Sequence, residues 1–73
     1  MFEDWLKQHF MVDDELIYFG NGLAANKAVF LAVFGPRADA ALASGKSLYE
    51  ALSVDARGWQ PMFDEWKARG IVQ

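Results

Sequence analysis

The sequence predicts a mostly α-helical chain, a compact single domain over residues 1–73 of four or five short helices with room for a minor two-strand pairing. Three observations point there. Apolar residues recur at spacings of three and four in the first ten residues and again after residue 60. The stretch Ala28–Phe34 is apolar nearly all round, as a buried central helix requires. Glycine and proline punctuate the chain at short intervals: Gly20-Asn21-Gly22, Gly35-Pro36, Ser44-Gly45, Gly58 with Pro61, and Gly70.

In the first segment Phe2, Trp5, Leu6, His9 and Phe10 share one helical face, and Glu3, Asp4, Lys7 and Gln8 the other. Glu3 and Asp4 sit in the first turn, where negative charge favours the helix dipole. Leu16-Ile17-Tyr18-Phe19 is β-branched and aromatic, which suits a short strand, though four residues are also consistent with a buried helix end. Asn21 can cap a helix from about Leu23 to Phe34, supported by Ala24, Ala25 and Ala28. Gly35-Pro36 is expected to end it, and Pro36 to start a second helix, Arg37 to Ala43, closed by Gly45. Ser47 with Glu50 three residues on reads as a capping box opening another helix, with Leu48, Ala51 and Leu52 on its apolar side. Gln60-Pro61 begins the last helix, through Arg69, with Met62, Phe63 and Trp66 inward and Gly70 as its stop. Ile71-Val72 forms an apolar tail able to dock, or to pair with Leu16–Phe19.

The chain has no cysteine and one histidine, so disulfides and cysteine-based metal sites are excluded and a histidine-rich centre cannot be built. A domain of this size therefore relies on dense apolar packing or on association. Three Trp, six Phe and two Tyr supply the means, and some of them are expected to stay partly exposed as binding anchors. The start, Met1-Phe2-Glu3-Asp4-Trp5, shows neither a basic leader nor a long apolar run, so no export signal is expected and the cytoplasm is favoured. No apolar run approaches the ~20 residues that span a bilayer, and no membrane association is expected.

Net charge is −3, and it is unevenly placed. Glu3, Asp4, Asp13, Asp14 and Glu15 face a single base, Lys7, within the first fifteen residues; after them five acids meet six bases. An acidic front repels nucleic-acid phosphate and attracts basic surfaces, so direct nucleic-acid binding is disfavoured.

Two glycine-containing stretches imitate nucleotide sites. Gly45-Lys46-Ser47 lacks the phosphate-loop glycine five residues earlier, where Ala40 stands, and reads as a helix stop followed by an N-cap. Gly20-Asn21-Gly22 lacks the second strand and ribose-binding acid of a dinucleotide fold and reads as a tight turn or the start of a helix. Neither implies a cofactor. Asp13-Asp14-Glu15 are consecutive, not alternating as in calcium loops, so they read as a solvated loop or as an acidic contact for a basic partner. His9 has no serine or cysteine partner by motif, and so short a chain leaves little volume for a water-poor cleft. No enzymatic activity is expected. Trp59, in Arg57-Gly58-Trp59-Gln60-Pro61, reads as a core plug or, with Arg57, as an interface anchor.

The expected partner-binding residues are thus Asp13, Asp14, Glu15, Arg57 and Trp59. The competing reading is a DNA-binding helix-turn-helix from Pro36–Ala43 and Ser47–Ser53, but Leu48-Tyr49-Glu50-Ala51-Leu52 offers almost nothing to base edges or phosphates.

In its acidic block from Glu3 to Glu15, its tryptophan content and its lack of catalytic groups, the whole chain resembles the small bacteriophage proteins that inhibit host RNA polymerase, the Xanthomonas phage type among them. The resemblance implies binding to the large polymerase subunits and interference with the promoter-specificity factor; so small an inhibitor is expected to act by occupancy. It carries no defining motif from which site residues transfer.

Overall fold

The first helix, α1 (Phe2–His9), forms where the three-and-four spacing predicts it, with Phe2 and Leu6 buried one turn apart. It stops because Phe10 turns extended, which leads directly into β1 (Met11–Val12). The computed structural model describes residues 1–73 throughout. β2 (Leu16–Gly20) follows, and its alternation leaves Ile17 and Phe19 buried and Tyr18 exposed, as a half-covered strand requires.

Beyond β2 the chain departs from expectation. Leu23–Asn26 is a strand, β3, not the start of a helix, and with β1 it makes a three-stranded antiparallel sheet in the order β1-β2-β3. The fold is therefore mixed α/β, not mostly α with a two-strand pairing. The cause is Asn21-Gly22. Both residues have positive φ, 55° and 75°, the geometry a two-residue hairpin needs, and they return the chain onto β2 with Gly20 opposite Leu23. The helix preference of Ala24 and Ala25, at most several tenths of a kcal/mol per residue over other side chains, yields to the ladder Leu16↔Asn26, Ile17↔Ala25 and Tyr18↔Ala24.

α2 (Lys27–Ser44) begins later than predicted, and its cap is Asn26, not Asn21: the Asn26 side-chain oxygen accepts the Val29 N–H at 3.0 Å. It also does not stop at Gly35-Pro36. Pro36 lies inside it, with its ring toward solvent, so Pro36–Ala43 is no separate helix. An interior proline costs about 3 kcal/mol. Burial of Phe30, Phe34, Ala38 and Ala41 along one stripe of α2 offsets this, since each buried phenylalanine alone contributes about 1.5–3 kcal/mol. The true stop is Gly45 (φ 70°), where Lys46 N–H returns to the Ala41 carbonyl at 3.0 Å.

α3 (Leu48–Ser53) is capped by Ser47 as predicted, its hydroxyl accepting the Glu50 N–H at 3.1 Å. A 3₁₀ turn (Arg57–Trp59) leads into α4 (Gln60–Ala68), which buries Phe63 and Trp66. Gly70 ends it in a full Schellman arrangement, with Gly70 N–H on Lys67 O and Ile71 N–H on Trp66 O. Ile71-Val72 is not a strand; Val72 is buried, and β2 finds its partners in β1 and β3 instead.

The chain divides into two compact units, Met1–Pro36 and Arg37–Gln73. In the first, Phe30 stacks among Phe2, Phe19 and Phe34 at ring separations of 6.0, 5.5 and 4.9 Å, and Phe10 meets Phe19 edge-on. In the second, Phe63 and Trp66 pack edge-on, and Leu48 and Leu52 of α3 are buried as well.

Asn26→Ala should lower stability to urea by about 1 kcal/mol, with Asn26→Asp or Asn26→Ser recovering most of it. Equal loss in all three variants would show that the cap hydrogen bond is not what Asn26 contributes.

Candidate functional site

The acidic triplet forms the β1–β2 loop, and its three carboxylates do different things. Asp13 is bound inward to its own loop. One oxygen accepts the backbone N–H groups of Glu15 and Leu16, both at 2.7 Å, and the other accepts the Tyr18 hydroxyl at 2.8 Å. Those bonds to the ionised form hold its carboxyl below the usual aspartate range, the Leu16 and Glu15 amides first and the Tyr18 hydroxyl after them. The same contact raises the Tyr18 phenol. The Asp13 N–H meets the Leu16 carbonyl and Lys27 N–H the Glu15 carbonyl, so the loop backbone is pinned at both ends. Asp14 and Glu15 make no side-chain hydrogen bond or ion pair and are exposed.

The rest of the acidic front is largely neutralised within its own unit. Glu3 pairs with Lys27 at 3.3 Å and Lys7 at 3.5 Å, and Lys27, more than its other neighbours, lowers the Glu3 carboxyl from its ordinary value. Asp4 meets the Met1 amino group at 3.5 Å, so within the first fifteen residues the carboxylates without a partner are those of Asp14 and Glu15.

Beside that loop lies a groove of about 420 Å³ lined by Lys7, Phe10, Met11, Val12, Asp13 and Tyr18. Met11 is 75% exposed and Tyr18 38%, large values for apolar side chains. Met11 and Tyr18 are cross-strand partners, so their side chains share the outer face of the sheet. His9 is exposed at the end of α1, stacked on Trp5 at 4.3 Å with Nδ1 at 2.8 Å from the Trp5 carbonyl. It is a rim residue.

Arg57 and Trp59 belong to the second unit. Arg57 is exposed, 3.5 Å from the equally exposed Asp55, and both have positive φ, 60° and 50°. Trp59 is half-buried at the start of α4, and its N–H donates to the Ala56 carbonyl at 3.0 Å. Gly45 and Ser47, the phosphate-loop lookalike, are both spent on helix ends.

Sequence reading missed a polar clasp between α3 and α4. The Tyr49 hydroxyl donates to Asp64 at 2.6 Å, and Gln60 Nε2 reaches both Asp64 (2.9 Å) and Ser53 (3.0 Å). Lys67 lies over the Tyr49 ring, 4.4 Å from its centre. The only signal for it is the i, i+4 spacing of Gln60 and Asp64; Tyr49 is distant in sequence. With Leu48 and Leu52 buried and Tyr49 engaged, α3 presents no basic side chain outward. No group of His, Asp and Glu side chains gathers as a metal site would require, and no helix is long and apolar enough to cross a membrane.

Comparison with protein-family models, with curated proteins and with solved structures gives no match.

The folded-state pKa of Asp13 lies below its unfolded value near 3.9, so its contribution is full above that value and is lost as pH falls through the folded pKa. Tyr18→Phe should raise the Asp13 pKa measured by NMR and shift the acid-unfolding midpoint upward; an unmoved Asp13 pKa would remove the hydroxyl from the account. Arg57→Gly should raise stability by about 1 kcal/mol by relieving its left-handed backbone, read from the urea midpoint. A loss would show that the Arg57 side chain contributes more than its backbone costs.

Proposed function

We propose that this chain is a non-enzymatic, protein-binding regulator, and that its contact surface is the β1–β2 loop with the adjoining Met11–Tyr18 groove. One observation carries the reading: Asp13 spends its own charge on rigidifying the loop, which leaves Asp14 and Glu15 unpaired beside exposed apolar side chains. A pre-ordered loop loses little entropy on binding. Unpaired carboxylates steer it toward a basic surface, and the methionine and tyrosine supply contact that outlasts the encounter.

The partner is a larger protein with a basic, partly apolar patch. The resemblance to small phage inhibitors makes the large subunits of bacterial RNA polymerase the first partner to test, with inhibition of initiation by occupancy as the mechanism. A standard interface takes about 800 Å² from each partner, a sizeable share of the 4464 Å² this chain exposes. That share is enough to block a competing factor sterically. The host cytoplasm would be the place of action.

Pull-down from a bacterial lysate should recover polymerase subunits. The double substitution Asp14→Lys with Glu15→Lys should then slow association about tenfold at low salt, with the difference shrinking as salt rises. Asp13 is left intact in this test because its loss would disorder the loop. Equal on-rates for the two forms at low salt would remove the loop from the interface.

A further inference from the structure

β3 is the sheet's outer strand on one side; it is short and its pairing is bulged at the Gly20–Leu23 end, but its free edge carries neither charge nor proline. Leu23-Ala24-Ala25-Asn26 contains no charge and no proline, and its pairing with β2 is regular from Ala24 to Asn26. Leu23, Ala24 and Asn26 are exposed, Leu23 by 54%.

The direction of each backbone group follows from the ladder. Lys27 N–H donates to the Glu15 carbonyl at 2.8 Å, and Ala25 stands opposite Ile17. Directions alternate along a strand, so Ala25 and Lys27 point their amides toward β2 while Ala24 and Asn26 point theirs away. The Ala24 N–H and C=O and the Asn26 N–H accordingly face outward, on the side of β3 where no strand of the sheet pairs with it.

We propose that β3 pairs with β3 of a second copy of this chain, antiparallel about a two-fold axis at Ala24, joining the two sheets into one of six strands. Three features select this occupant and register. Ala24 offers a donor and an acceptor at one residue, so Ala24 opposite Ala24 of the copy satisfies both reciprocally, as an isologous contact requires. The neighbouring register, Ala24 opposite Asn26, would need the Asn26 carbonyl, which the N-cap position, marked by the side-chain bond from Val29 N–H, commits to the first turn of α2. Across this two-fold each exposed Leu23 falls opposite Ala25 of the copy, and β3 brings no like charges together. The added strand covers well under the ~1,000 Å² of a stable interface, so association is weak. The inference does not rest on the reading of the acidic loop.

Sedimentation equilibrium of the full chain should show reversible dimerisation over about 0.1–1 mM. Ala24→Lys and Ala24→Glu each place like charges directly opposite one another across the axis and should each weaken dimerisation at least about tenfold. An equimolar mixture of the two should recover it at low salt and lose it again at high salt. Ala24→Pro removes an outward N–H without touching the β2 ladder; it should keep its circular dichroism and lose dimerisation. A wild-type chain monomeric at about 1 mM overturns the proposal. So does a dimer indifferent to both charges, or a mixture no better associated than its components.

Discussion

The packing of Phe30 against three other rings is the contact on which the first unit depends. Phe2 arrives from α1, Phe19 from β2 and Phe34 from the next turn of α2, so one side chain ties a helix, a sheet and a second helix together. Each ring pair adds about 0.5–1.5 kcal/mol beyond the area it buries. The buried face of the sheet is consequently the Ile17–Phe19 face, and the opposite face, with Met11 and Tyr18, is left to solvent. The Glu3–Lys27 pair works on the same joint from outside, fastening α1 to the first turn of α2 at 3.3 Å.

From that orientation follows the character of the acidic loop. A run of three carboxylates would ordinarily repel itself into disorder, yet here the first is consumed by two amides and a phenol. Its neighbours are thereby held on a defined backbone with nothing to pair with. Order and unspent charge come from the same three residues because they are divided between roles, which composition cannot reveal.

Local rules located α1, α3 and α4, because each carries its own boundary signal: periodicity, the Ser47 cap and the Gly70 stop; the β-branched and aromatic content of Leu16–Phe19 suits β2 but fits a buried helix end as well. They failed where one signal had two meanings. Asn21 suits a cap and a hairpin turn equally by residue type, and only the pairing of Leu23–Asn26 with β2 decides between them. Pro36 signals a stop, but a stripe of buried side chains on both sides of it outweighs the missing bond. Of the site, the acidity of residues 13–15 was plain in the sequence. The inward turn of Asp13 depends on Tyr18 and the loop amides and could not be read from neighbours alone. The Tyr49–Gln60–Asp64 clasp needs two helices already packed.

The proline inside α2 also defines what kind of boundary separates the two units. Most units meet at an exposed linker, where length can change without harm. Here the division falls between Pro36 and Arg37, within α2, next to the only peptide of that helix that has no hydrogen to give. The missing hydrogen leaves the Ala32 carbonyl without its helical donor, and because Ala32 and Pro36 are both exposed, water can take that place.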